Sequence, residues 1–193
     1  MVYAISKRIF WPIFRLFIKR IDGVDNLPDP PFILAANHSS YIDGPLLMML
    51  VAWHKNTRLY MFATNERFVG LFWNIIFTHF GAIRVNGSLD KGIEKVKQGH
   101  AIGIFPEGGR TRTGELQDVT NTGLGVLALK TNVPVVPVRL NTYSWWNLHR
   151  VFPTFKKTIE ITIGKPKRFT RKYTKTNAKR IIKTIMHEVK KLA

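Results

Sequence analysis

Short apolar runs alternate with longer amphipathic stretches along this chain, which is the pattern of strands and helices taken in turn. Phe32-Ile33-Leu34-Ala35-Ala36 reads as a short buried strand, and Pro45 followed by Leu46-Leu47-Met48-Met49-Leu50-Val51 as a helix with proline in its first turn. Arg58-Leu59-Tyr60-Met61-Phe62-Ala63 predicts a strand, an apolar helix follows at about 66–78, and Ala82-Ile83-Arg84-Val85 is a strand ending in the turn signal Asn86-Gly87. Ser88 caps a polar helix that runs through Gln98 and stops at Gly99. His100-Ala101-Ile102-Gly103-Ile104-Phe105 is a further buried strand, and 122–131 a helix. Residues 133–140 form a strand whose prolines, Pro134 and Pro137, must avoid central pairing positions. Residues 158–164 alternate as a strand closed by Pro166, and from about Thr176 a basic amphipathic helix carries Ile181, Ile182, Ile185, Met186 and Val189. No linker, repeat or low-complexity segment interrupts this order. The expected fold class is α/β, a mixed β-sheet covered by helices.

The first residues add a different element. Wound as a helix over 2–21, Ile5, Ile9, Phe10, Ile13, Phe14, Leu16, Phe17 and Ile21 share a broad face. Most of the basic residues, Lys7, Arg8, Arg15 and Lys19, lie opposite, while Trp11 and Ile18 intrude and Arg20 is misplaced. Central charges make a membrane-spanning helix costly, at roughly 2.5 to 3.5 kcal/mol each, whereas a helix lying in the interface welcomes them. The expectation is an amphipathic membrane-associating helix over 1–21, followed by one domain over 22–193. The same pattern fits a helix docked on the protein's own core, and Pro12 starts or kinks it. The charges interrupt every apolar region that a cleavable signal peptide would need. Residues 21–31 are turn-rich, with no room for a helix.

Composition narrows the partners. The 193 residues are 45% hydrophobic, enough for one domain with a proper core, and the absence of cysteine excludes disulfides and thiolate metal sites. Thirty Lys and Arg against 12 Asp and Glu leave a formal charge of +18, so the partners carry phosphate. Anionic membrane and nucleic acid both qualify. No zinc-finger spacing, RRM-type aromatic signature or heptad array is present, so no nucleic-acid partner is expected. Anionic lipid fits, since each basic residue near such a surface contributes about 1 kcal/mol.

The candidate chemistry begins in Ala36-Asn37-His38-Ser39-Ser40-Tyr41-Ile42-Asp43-Gly44-Pro45. On a regular helix, residues five apart lie roughly 140° around the axis, so His38 and Asp43 meet only across a bend. With His38 at a strand end and Asp43 at a helix start, the carboxylate can reach back to one imidazole nitrogen and leave the other free to take a proton. The substrate must then bring the nucleophile, because there is no cysteine and no G-x-S-x-G elbow. Asp43, Ser39 and Ser40 also fit as simple helix caps. Further on, Pro106-Glu107-Gly108-Gly109-Arg110-Thr111-Arg112 follows a buried strand, with glycines that allow close backbone approach and arginines that offer bidentate donors to phosphate. A plain Gly-Gly turn with solvated arginines fits the same residues, and Arg84 alone is an ordinary surface cation beside a turn. Trp145 and Trp146 either cover the core or anchor at a membrane interface.

Asn37-His38 with Asp43 resembles the first motif of the glycerophospholipid acyltransferase family, the lysophosphatidic acid acyltransferases and their relatives. Phe105-Pro106-Glu107-Gly108-Gly109-Arg110-Thr111 is similar to that family's third motif and Val133-Pro134-Val135-Val136-Pro137-Val138 to its fourth. The second is less sharp, in Phe80-Gly81-Ala82-Ile83-Arg84-Val85. The matches stand in family order over roughly residues 21–140. Two lysines common in relatives are absent, near Thr64 and Asn65 and just before Gly123, where Asn121 and Thr122 stand.

The resemblance implies an enzyme of phospholipid biosynthesis that moves a fatty acyl group from a thioester, acyl-CoA or acyl carrier protein, to the free hydroxyl of 1-acylglycerol 3-phosphate. It implies His38 as base and Asp43 as its orienting partner. Glu107, Gly108, Arg110 and Thr111 would shape the acceptor site, with Arg84 and Arg110 on its phosphate. No metal and no bound cofactor is expected, and the protein would be peripheral or monotopic on the cytoplasmic face of a membrane. Glycerol 3-phosphate or another lysophospholipid is the alternative acceptor. A basic membrane- or nucleic-acid-binding protein without catalysis is the remaining class.

Overall fold

The computed structural model describes residues 2–63, 78–84, 89–119 and 122–192. The helix expected at 66–78 lies outside those residues apart from Thr78, as do Val85, the Asn86-Gly87 turn, the Ser88 cap and positions Thr64, Asn65 and Asn121.

Among the described residues seven strands form one mixed sheet: β1 (Ile18–Asp22), β2 (Ile33–Ala36), β3 (Leu59–Ala63), β4 (Ala82–Arg84), β5 (Ala101–Ile104), β6 (Val135–Asn141) and β7 (Ile159–Ile163). Their spatial order is β1-β7-β6-β2-β5-β3-β4. The five from β6 to β4 are mutually parallel, and β7 turns antiparallel against β6 with β1 parallel to it. Helices α1 (Val2–Phe17), α2 (Asp43–Lys55), α3 (Asp90–Lys97), α4 (Gly123–Thr131) and α5 (Lys175–Lys191) cover the sheet.

The central strand β2 is buried throughout, as its unbroken apolar run requires of a strand covered on both faces. Leu34 and Ala36 point, with Met61, Val136 and Val138, into the core that α1 and α2 close. Ile33 and Ala35 point, with Ile102, Ile104 and Val135, to the opposite core under α3, α4 and α5. Gly125 lets α4 approach α5, because a Cβ there would overlap the backbone of Ala178. Pro137 lies within β6 opposite Ala35 of β2, one residue before the ladder with β7 begins at Val138, and its carbonyl accepts from the Gly164 N–H at 2.8 Å.

The N-terminal helix is shorter than the helical pattern predicts. It ends at Phe17, where the Arg15 guanidinium donates to the Ile18 carbonyl at 3.0 Å, and residues 18–22 leave it to pair with β7, Ile18 beside Ile159. Strand pairing and full burial of Ile18 outweigh another helical turn, so the boundary expected after residue 21 falls inside β1. Trp11, an intruder on the helical wheel, is what docks α1: it is buried, stacks 6.4 Å from Trp53 and meets His54 edge-on at 5.5 Å. The stripe Ile9, Phe10, Ile13 and Leu16 stays exposed. Residues 21–31 hold one 3-10 turn, Val24–Asn26. Among the described residues no helix is long and apolar enough to cross a membrane.

Candidate active site

The strand order creates the crevice. From β2 the chain crosses β5 over one face, through α2, to β3, while from β5 it crosses β2 over the other face, through α4, to β6. Adjacent strands whose connections diverge in this way leave an opening beyond their carboxyl ends, where open α/β sheets place ligands. His38 follows β2 and Glu107 follows β5, so both fall at that opening.

Asn37 splices the end of β2 to β6: its amide donates to the Leu140 carbonyl at 2.9 Å and accepts from the Leu140 N–H at 2.7 Å. The chain then bends, and His38 Nδ1 lies 2.8 Å from Asp43 Oδ2 in the first turn of α2. Asp43 is 0% exposed, and Oδ2 also accepts the backbone N–H groups of Ser39 at 2.7 Å and Ser40 at 2.8 Å. Its Oδ1 accepts from the hydroxyl of Thr142, which takes a further bond of 2.9 Å from Ser39 Oγ. A carboxylate against Nδ1 puts the neutral ring's proton there and leaves Nε2 as the lone-pair nitrogen. Among the described residues Nε2 meets no hydrogen-bond partner, and the His38 side chain is 19% exposed. Phe105 stacks on the imidazole at 4.0 Å, almost parallel at 7°, and blocks ring rotation.

Glu107 joins the two loops. One oxygen accepts the His38 N–H at 2.9 Å and the other the Gln117 N–H at 3.1 Å, while Thr111 N–H donates to the His38 carbonyl at 2.9 Å. Burial raises the Glu107 pKa above its ordinary value, opposed by those two backbone donors and by the charge of His38. Gly108 closes the turn after β5 at φ 76, a left-handed position suited to glycine, with its N–H on the Phe105 carbonyl at 3.1 Å. Gly108 and Gly109 are exposed, whereas Thr111 is buried and its hydroxyl accepts the N–H groups of Thr113 and Gly114, each at 3.2 Å. Arg110 lays its guanidinium 3.9 Å above the ring of Tyr41, which leans on Trp146 at 5.0 Å. No cluster of three or more His, Cys, Asp or Glu suited to a metal occurs among the described residues.

A family model described as Acyltransferase matches residues 6–141. The chain belongs to the acyltransferase family. Relatives of this acyltransferase include the 1-acyl-sn-glycerol-3-phosphate acyltransferase of Saccharomyces cerevisiae, 29% identical over 149 residues, which are 72% of this chain and 49% of that one. The enzyme of the same description from Borreliella burgdorferi is 30% identical over 143 residues, 68% and 55% of the two chains. A chloroplastic 1-acyl-sn-glycerol-3-phosphate acyltransferase of Brassica napus, BAT2, is 29% identical over 133 residues, 66% and 38%. The match therefore spans about half or less of these curated relatives' length. Among solved structures, the 1-acyl-sn-glycerophosphate (LPA) acyltransferase PlsC from Thermotoga maritima superposes with a TM-score of 0.77 at 26% identity, over 99% of this chain and 79% of that one.

Within the acyltransferase, sequence reasoning located His38, Asp43, Glu107, Gly108, Arg110 and Thr111, and the fold brings them to one crevice. Arg84 ends β4, level with that crevice through the Ala63 and Arg84 pairing. Two strand spacings separate it from β5, about 10 Å. Thr142 and Tyr41 were missed. Thr142 stands one residue past β6 and past the family match, and only the placement of β6 beside β2 brings it to Asp43. Tyr41 sits inside the first motif, where a tyrosine has no signature of its own.

Proposed function

We propose that this acyltransferase transfers a fatty acyl group from a thioester to the free hydroxyl of 1-acylglycerol 3-phosphate, forming phosphatidic acid. The observation that carries the reading is the His38 and Asp43 pair with Nε2 turned to the crevice, in a chain whose relatives bear that activity in their names. Nε2 removes the proton of the acceptor hydroxyl as its oxygen attacks the thioester carbonyl. The tetrahedral intermediate then collapses, the carbon–sulfur bond breaks, and the imidazolium returns its proton to the departing thiolate. The products are an ester and a free thiol. Asp43 faces the imidazolium in both steps, and the thioester of acyl-CoA or acyl carrier protein is a co-substrate, so no resident cofactor enters the scheme. Arg110, beside Tyr41, and Arg84, at the same carboxyl end of the sheet, hold the acceptor phosphate; the Glu107 carboxylate and Thr111 N–H fix the loop that carries Arg110.

The enzyme works at a membrane surface. Support comes from α1, which docks through Trp11 and keeps Ile9, Phe10, Ile13 and Leu16 outward, and from the charge of +18. Release of free thiol by purified protein, measured across 1-acylglycerol 3-phosphate, glycerol 3-phosphate and an uncharged lysolipid, tests the reaction. Turnover should be greatest with the first and lost in His38→Ala, because removing a general base costs about 10² to 10⁴ in rate. Near-normal turnover by folded His38→Ala, or none by the intact protein with any acceptor, refutes the reading.

A further inference from the structure

The connection between β6 and β7 is unlike the rest of the surface. Val151 is 81% exposed, Phe152 74% and Phe155 66%, three large apolar side chains within five residues. In water such a tip is expected to fold down onto the protein, yet its base is braced. Tyr143 and His149 both bond the Arg112 carbonyl, at 2.6 and 3.0 Å, and Asn147 Nδ2 donates to the Tyr143 carbonyl at 3.0 Å. Trp146 Nε1 donates to the Arg150 carbonyl at 3.1 Å and Thr154 N–H to the Trp145 carbonyl at 2.9 Å. Phe155 holds φ 55, a left-handed conformation that is a genuine outlier for a bulky residue and persists only where surroundings enforce it. These bonds hold the apolar tip away from the core.

What covers the tip is indicated by charge. Arg150 precedes it, Lys156 and Lys157 follow it, and no acidic residue occurs from Arg139 to Ile159. An apolar tip collared by cations matches the boundary between acyl chains and anionic headgroups. It disfavours a second copy of this chain, which would bring the same cations against it. Position agrees. The connection leaves β6 at the carboxyl end of the parallel strands, where His38 lies, and Phe155 meets Phe17 at the end of α1, ring centroids 6.1 Å apart. Tyr41 and Trp146 from the active-site side and Arg150 and Val151 from the tip line one groove of ≈ 300 Å³.

We propose that residues 150–157 are a second lipid-contacting element, which inserts Val151, Phe152 and Phe155 into an anionic bilayer and sets the groove beside Tyr41 and Trp146 against it. This rests on the membrane-surface reading, but concerns an element beyond the residues that the family model matches. The chain contains no cysteine, so Phe152→Cys in the full chain gives a unique attachment point for an environment-sensitive fluorophore. With phosphatidylglycerol-containing vesicles its emission should shift to the blue. A label at Lys183→Cys, on the exposed side of α5, should keep its value in water. Unlabelled Val151→Ser/Phe152→Ser should melt like the wild type and bind the same vesicles about tenfold more weakly, the lower end of what burying one such side chain contributes. An unshifted label at Phe152→Cys, while intact protein still sediments with vesicles, overturns the proposal and leaves the membrane reading standing. Intact protein that does not sediment removes both. A blue shift that grows with protein concentration in the absence of lipid assigns the tip to a second copy and overturns the proposal.

Discussion

Asp43→Asn separates the charge of the dyad from its geometry. Oδ2 faces three donors, His38 Nδ1 and the N–H groups of Ser39 and Ser40, and Oδ1 faces one hydroxyl, that of Thr142. The asparagine oxygen can take the place of Oδ2 and keep all three. Its NH2 then points at Thr142, whose hydroxyl turns to accept from it and donates instead to Ser39 Oγ, a pair in which either oxygen can be the donor. The reversal leaves the Ser39 hydroxyl hydrogen and the second amide hydrogen each in need of a new acceptor, so the variant should melt below the wild type while His38 keeps its tautomer. What disappears is the negative charge facing the imidazolium. At about 4 Å and an effective dielectric of about 20 that attraction is about 4 kcal/mol. The neutral hydrogen bond retains part of it, so the barrier should rise by about 3 kcal/mol and kcat fall about a hundredfold. Initial rates of thiol release at saturating acceptor, with a melting curve for each protein, read both quantities. A fall of less than about threefold in a variant that is folded at the assay temperature refutes the charge argument. A variant that does not fold refutes the hydroxyl reversal. Adding Thr142→Val removes a charge-assisted bond to Oδ1 in the wild type and only a neutral one in Asp43→Asn, so it should destabilise the wild type by more than it destabilises Asp43→Asn.

Arg110→Ala should lower acceptor kcat/KM about ten- to a hundredfold, since hydrogen bonds to charged groups contribute about 1.5 to 3 kcal/mol, and most of the loss should appear in acceptor KM. Equal losses with phosphorylated and unphosphorylated acceptors would assign Arg110 to the fold or the donor. For Glu107, a carboxyl whose folded pKa lies above its unfolded value adds stability below the unfolded pKa and loses it as pH rises through the folded one. The denaturation midpoint of the wild type should therefore rise relative to that of Glu107→Gln as pH falls from neutral towards 4.5, and a difference constant with pH contradicts the buried-carboxyl reading. Ile13→Ser/Leu16→Ser on α1 should weaken sedimentation with anionic vesicles without changing the melting temperature; unchanged sedimentation counts against α1 as a membrane contact.

The buried strands were legible because a strand covered on both faces must be apolar without interruption, as 33–36 and 101–104 are. His38 and Asp43 were legible because their spacing demanded a bend, and Pro45 marked where the helix began. Thr142 was not, since it reaches Asp43 through a sheet neighbour 99 residues away and carries no pattern of its own. The helical wheel misled at residues 18–21, where Lys19 and Ile21 continue the helical pattern, while Ile18 and Arg20, which it left as exceptions, belong to a strand. The deciding fact was Ile159, far along the chain. The wheel also set Trp11 apart as an exception, when a helix that shares its apolar residues between a core and an outer surface needs one large anchor off the main stripe.

Asn37 has a consequence for how this enzyme should fail on heating. Backbone pairing of β2 stops at Ala36, and beyond it Glu107 and Thr111 hold His38 from the β5 side alone, so an ordinary side chain at position 37 would leave it untethered towards β6 and freer to shift at temperatures below melting. Because the Asn37 amide exchanges both its bonds with Leu140, the imidazole is suspended from two strands at once. Misalignment then requires β2 and β6 to part, and they are the middle of the sheet. Heat inactivation should accordingly coincide with loss of the whole fold. In Asn37→Ala the two should come apart, with activity vanishing first from a protein that is still folded.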